Sequence, residues 1–89
     1  MSNEPFYSPN HRPAPRQAQP GEHLWAIRKK DGRQIDCELR DHGSYGVELQ
    51  LLRDLEWFYG HRWPTRELAR AEADELRANY LGEGGVLIG

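Results

Sequence analysis

The sequence predicts an α+β domain: a four-stranded antiparallel β-meander followed by one C-terminal α-helix packed on one face, in the order ββββα. Three observations carry this. Apolar and polar residues alternate through residues 33–40, the period-two signature of a half-buried strand. Two triplets ending in glycine, Lys30-Asp31-Gly32 and Asp41-His42-Gly43, punctuate the chain at hairpin spacing. Pro64-Thr65 then opens a stretch whose apolar residues recur at helical spacing.

The first hairpin joins residues 23–29 to residues 33–40. A two-residue Asp-Gly turn would set Ile35 opposite Arg28. A three-residue loop with Gly32 left-handed sets Ile35 opposite Ile27 and Cys37 opposite Trp25. The second register gathers the large apolar groups on one face, and a slip of one residue would reverse every side chain. It is therefore the expected one. The same logic at Asp41-His42-Gly43 puts Leu39 opposite Tyr45, Cys37 opposite Val47 and Ile35 opposite Leu49. It also places Asp36 opposite Glu48 on the outer face, where facing like charges are unfavourable.

A fourth strand is expected over residues 56–63. The Arg53-Asp54-Leu55 turn before it lacks glycine, and a leucine in the left-handed region costs energy. Trp57, Tyr59, His61 and Trp63 share one face by parity, while Phe58, Gly60 and Arg62 share the other. Aromatics on both faces leave parity undecided; the helix that follows favours Trp63 inward. In that helix Thr65 is the expected N-cap, with Glu67 near the positive end of the dipole. Leu68, Ala69, Ala73, Leu76 and Tyr80 form its apolar stripe, Arg70 and Asp74 pair at i, i+4, and Gly82 is the expected stop.

The domain boundaries follow from composition. Five of the six prolines lie in residues 1–21, which reads as a disordered proline-rich tail because so little apolar surface offsets the ordering entropy. No PxxP spacing occurs in it. Residues 22–81 form the single folded domain, and residues 82–89 form a glycine-rich apolar tail in which Val86-Leu87-Ile88 either frays or docks as a short strand. A folded part of this size sits near the lower limit for an unaided core, so self-association is an economical way to bury more surface.

The 89 residues carry a net charge of −2, 29% charged residues and one cysteine. No run of about 18 apolar residues exists to span a bilayer. No secretory signal is visible at the start, so a cytoplasmic location is expected. One cysteine makes neither an internal disulfide nor a thiolate zinc site, and Cys37 reads as a small buried hydrophobe. His23 and His61 fall on the two outer strands, three strand spacings or roughly 14 Å apart, too far to share one zinc. Gly82-Glu83-Gly84-Gly85 lacks the strand and helix that frame a phosphate loop. No metal, cofactor or catalytic set is expected, and the chain does not read as an enzyme.

Two surfaces are candidate sites. One end of the meander gathers Arg40, His42, His61, Arg62 and Arg66, with His23 beside them, near the helix N-terminus. That arrangement suits a small anion or an acidic partner segment. Leu24, Leu52 and Phe58 on the outer face, together with the edge at Tyr59, suit association, since clustered exposed apolar groups mark partner sites.

Leu24-Trp25, Arg28-Lys29, Cys37-Glu38-Leu39-Arg40, Gly46-Val47-Glu48 and Arg62-Trp63-Pro64-Thr65-Arg66 resemble a group of short uncharacterised bacterial proteins over residues 24–80. That group is expected to have glycine where Leu55 stands, and the resemblance brings no activity with it. In architecture alone, a sheet followed by an alanine-rich helix is similar to AP2-type and integrase amino-terminal-type DNA-binding domains, which read DNA from the exposed sheet face. Asp36, Glu38 and Glu48 on that face would repel phosphates. The expected function is a small intracellular protein-interaction module, a homodimer or the binder of a protein partner with no membrane role. DNA binding through the sheet face is the alternative.

Overall fold

The computed structural model describes residues 21–89, so the disordered tail expected over 1–21 lies, but for Gly21, outside the described residues. The chain runs β1 (Glu22–Arg28), β2 (Gln34–Asp41), a 3₁₀ turn (Gly43–Tyr45), β3 (Val47–Arg53), β4 (Glu56–Trp63), α1 (Arg66–Gly82) and β5 (Val86–Leu87). The sheet has five strands, not the four expected, in the order β4-β3-β2-β1-β5, and every pairing is antiparallel.

The fifth strand is the apolar C-terminal patch. Leu87 pairs with Ile27 and Val86 with Arg28. The Ile88 N–H donates to the Ala26 carbonyl at 2.8 Å, and the Ala26 N–H donates to the Gly89 carbonyl at 3.1 Å. These bonds occupy the edge of β1 that a four-stranded meander would leave open. The helix stops slightly later than Gly82: Glu83 is its C-cap and Gly84 takes the left-handed position at φ 94°.

The first hairpin has the expected register, with Trp25 opposite Cys37 and Ile27 opposite Ile35. The Lys29 N–H donates to the Arg33 carbonyl, and Gly32 adopts φ 88°. The second hairpin differs. Leu39 faces Leu49, Cys37 faces Leu51 and Ile35 faces Arg53, a shift of four residues from the expected register. The connection is not a three-residue loop: the 3₁₀ turn lengthens it until the His42 N–H meets the Gly46 carbonyl at 2.8 Å. Gly43 is left-handed as expected (φ 64°), but Gly46 is too (φ 101°), and a Cβ there would lie 2.5 Å from the Trp63 carbonyl oxygen. Because the shift is even, the same side chains still point inward. It also removes the like-charge pair: Asp36 faces Leu52, and Glu48 faces Arg40.

The third turn is two residues long, with Asp54 and Leu55 both at positive φ (51° and 71°) and Arg53 opposite Glu56. Two left-handed residues give the turn whose twist suits a hairpin. Asp54 anchors it, its N–H donating to the Gln34 carbonyl and its carboxylate accepting from the Gln34 N–H. A bulge follows, so Leu51 faces Tyr59 while Leu52 faces Trp57. This extra residue breaks the parity of β4. Tyr59 and Trp63 pack on the core side, whereas Trp57 shares the opposite face with Leu52 and is 58% exposed.

The core lies between the sheet and α1. Trp25, Ile27, Ile35, Cys37, Leu39, Val47, Leu49 and Leu51 from the first three strands meet Ala69 and Ala73 of the helix. The two alanines let helix and sheet approach closely. The Trp25 indole N–H donates to the Ala73 carbonyl at 3.2 Å, and its ring meets Tyr80 edge-on with centroids 6.2 Å apart. Thr65 caps the helix as expected, its hydroxyl accepting from the Leu68 N–H, and Arg70 pairs with Asp74 at 3.5 Å.

Candidate functional site

On the regular half of β4, strand alternation brings Tyr59, His61 and Trp63 to the helix side, where each offers a polar tip. Helical spacing brings Glu72 over them, between the buried Ala69 and Ala73. The Tyr59 hydroxyl donates to Oε2 of Glu72 at 2.6 Å. The Trp63 indole N–H donates to Oε1 at 2.7 Å, and the His61 Nδ1–H donates to the same oxygen at 3.1 Å. His61 and Trp63 stack with centroids 4.4 Å apart.

The Glu72 side chain is only 14% exposed. Burial pushes its carboxyl up, but the hydrogen bonds from Tyr59 and Trp63 and the interaction with His61 outweigh it and hold the group below the usual carboxylate range. The same contact, reinforced by burial, pushes the Tyr59 phenol up to about 12. Both carboxylate oxygens are thus engaged, and Glu72 acts as a fixed acceptor tying the helix to the edge strand. Beside it an open groove of about 430 Å³ is lined by Trp63, Leu68, Ala71 and Glu75.

The expected basic cluster is divided by the sheet. His61 and Arg66 lie on the helix side, where Glu72 and Glu22 meet them; Arg66 Nη2 is 2.6 Å from Glu22. The Arg66 guanidinium beside Glu22 holds that carboxyl below its ordinary range. Arg40, His42 and Arg62 flank Glu48 on the other side, where Arg40 and Arg62 are its strand partners and His42 Nε2 donates to it at 3.1 Å. Arg40 itself pairs with Glu38 at 3.0 Å. His23 donates to Asp36 at 2.9 Å. The five residues therefore do not converge on one anion.

The expected association surface also separates. Leu24 stands at a bulge between His23 and Trp25 and packs against the core rather than facing outward. Phe58, at the β4 bulge, lies under the Arg53 guanidinium with 5.2 Å to its ring centre and is 37% exposed. Leu52 is half-buried beside Trp57, and Tyr59 is turned to Glu72. Cys37 is fully buried; burial, aided by the charge of Glu72, pushes its thiol up to about 12. Among the described residues no group of three His, Cys, Asp or Glu is placed to hold a metal ion, and no helix is long and apolar enough to cross a membrane.

The Glu72 acceptor was not among the residues the sequence singled out. The signal was there: three successive inward positions of an edge strand end in O–H or N–H groups, which must find an acceptor on whatever packs above. No family model, curated protein or solved structure matches this chain.

Proposed function

We propose that this domain is a small protein-interaction module that associates with a second copy of itself through β4. One observation carries the reading. β5 covers the edge of β1, which leaves the eight residues of β4 as the one long strand among the described residues with an unpaired side. An exposed strand edge is a template for another strand. The bulge at Trp57–Phe58 and Pro64 restrict regular pairing to Tyr59–Trp63, and exposed Trp57 adds apolar surface beside it. Antiparallel pairing of β4 with its copy is symmetric and closed, and it would make a ten-stranded sheet.

The other sheet face gives less support to DNA binding. Asp36, Glu38 and Glu48 lie there, against Arg28, Arg40 and Arg62, and carboxylates in that position oppose phosphate. Sedimentation velocity over a concentration series tests the proposal. The wild type is expected to move from monomer to dimer, and Trp57→Lys to weaken the dimer, because it removes exposed apolar surface beside the joint without touching the core. A folded wild type that stays monomeric at high micromolar concentration would overturn the proposal. Saturable binding of duplex DNA at moderate salt by that monomer would favour the sheet face as a nucleic-acid surface.

A further inference from the structure

Strand alternation fixes which backbone groups β4 offers to a partner. Ala26 turns both its N–H and its carbonyl to the last residues of the chain, bonding Gly89 and Ile88. Backbone groups change sides at each residue of a strand, so Trp25 faces β2. Carried through the pairs Trp25–Cys37, Asp36–Leu52 and Leu49–His61, the alternation turns the backbone of His61 to β3. The N–H and C=O of Gly60 and Arg62 are left on the open side. Two β4 strands related by a two-fold axis therefore pair best with Gly60 opposite Arg62, which uses every open group between the bulge and Pro64. Sliding one way brings in Pro64, which has no N–H, and sliding the other way brings in the bulge at Phe58. Arg62 of one copy then lies beside Gly60 of the other, where Trp57 and Glu48 already sit: a Cβ on Gly60 would be 3.2 Å from Trp57 Nε1 and 2.7 Å from Glu48 Oε2. Arg62 has no ion pair among the described residues, so an indole and a carboxylate suit it.

This register sets His61 opposite the second copy's His61, on the two-fold axis and on the helix side of the sheet. The pair is of the non-hydrogen-bonded kind, whose Cβ atoms lie about 4.5–5.5 Å apart. The Glu72 carboxylate also accepts from Tyr59 and Trp63, so in its 3.1 Å contact with His61 the proton sits on Nδ1. Nε2 keeps its lone pair and has no partner among the described residues. The His61 side chain is 45% exposed, whereas Glu72 behind it is 14% exposed. An imidazole held through one nitrogen by an enclosed carboxylate, with the other nitrogen bare, is the form in which histidine ligates a metal ion.

We propose that the pairing of two β4 strands, on which this inference rests, builds a divalent-metal site on its two-fold axis, with Nε2 of each copy's His61 as the protein ligands and water completing a tetrahedral Zn²⁺ shell. With Zn–N bonds of about 2.0–2.1 Å the two nitrogens stand about 3.4 Å apart, a separation that facing histidines reach. Within one copy no three metal-ligating side chains come together among the described residues, so the site is incomplete without the second.

Sedimentation velocity of the full chain at neutral pH, in EDTA and across a ZnCl₂ series, tests this. The dimer is expected to tighten with Zn²⁺, about tenfold for each tenfold rise in the free ion once it exceeds its dissociation constant, with one ion bound per dimer. In His61→Gln the association constants with and without Zn²⁺ are expected to be equal. A wild-type dimer in EDTA that Zn²⁺ leaves unchanged would overturn the metal site and leave the β4 pairing standing. A chain monomeric in both would overturn the pairing and the site with it. A Zn²⁺ response that survives in His61→Gln would overturn the site as well, since the ion would then sit elsewhere.

Discussion

Trp63, the last residue of β4, donates its indole N–H to the Glu72 carboxylate of α1 at 2.7 Å, and through this bond the edge strand is tied to the helix. The Tyr59 hydroxyl and the His61 ring nitrogen share the same acceptor. Removing the acceptor strands the half-buried Tyr59 hydroxyl and Trp63 indole N–H, while the exposed His61 ring turns to water. Glu72→Ala is therefore expected to destabilise the domain by about 2–3 kcal/mol, since charge-assisted bonds and stranded donors each contribute at that scale. Urea unfolding followed by tryptophan fluorescence measures it. Trp63→Phe should cost less, because it removes one bond and keeps the ring.

The same carboxylate gives the fold a pH dependence. Its pKa is lower in the folded chain than the ordinary value of 4.5, so the folded state favours the ionised form. The resulting stability is fully present above about pH 4.5 and is lost as pH falls through the lower, folded value. Unfolding free energies of wild type and Glu72→Gln taken from pH 6 downward should therefore converge below pH 4.5. A constant gap would show that the charge of Glu72 contributes nothing.

Cys37 should be inert in the native chain. The thiol is wholly buried and its pKa is pushed up to about 12, so the reactive thiolate is scarce at neutral pH. Thiol-reagent kinetics should be slow in buffer and fast in denaturant, with the native rate tracking unfolding.

Two glycines separate conformational from steric cost. Gly32 has φ 88° with open space around it, so Gly32→Ala should cost about 1 kcal/mol from backbone conformation alone. Gly46 has φ 101° and also faces the Trp63 carbonyl at 2.5 Å from an added Cβ, so Gly46→Ala should cost clearly more, about 2–4 kcal/mol. Thermal unfolding of the two variants side by side decides between them.

The first hairpin was legible from Trp25 to Ile35, because only one of the two loop lengths open to Lys30-Asp31-Gly32 gathers the large apolar groups on one face; the bulge between His23 and Trp25 was not, since strand periodicity does not encode it. Sequence reasoning reached the inward face of β3 but not its register. Gly43 and Gly46 are both left-handed, and a turn built on the two of them is longer than one built on Gly43 alone. Parity on β4 failed at Trp57 because a bulge at Phe58 depends on how an unusual Asp54-Leu55 turn meets β3, which single-strand periodicity does not encode. The docking of Val86-Leu87 was foreseen only as one of two outcomes, since a two-residue strand carries no period. Glu72 escaped because a helical wheel ranks it as polar surface; its burial comes from the tips of Tyr59, His61 and Trp63, which are distant in sequence.

Pairing of β4 with a second copy is most directly tested by amide hydrogen exchange as a function of protein concentration. The amides of Tyr59–Trp63 not bonded to β3 are expected to exchange freely in dilute solution and to become protected as concentration rises. Those of β5, at the other edge, should stay as they were. Exchange on β4 that is the same at every concentration, in a chain that stays folded, would contradict the pairing.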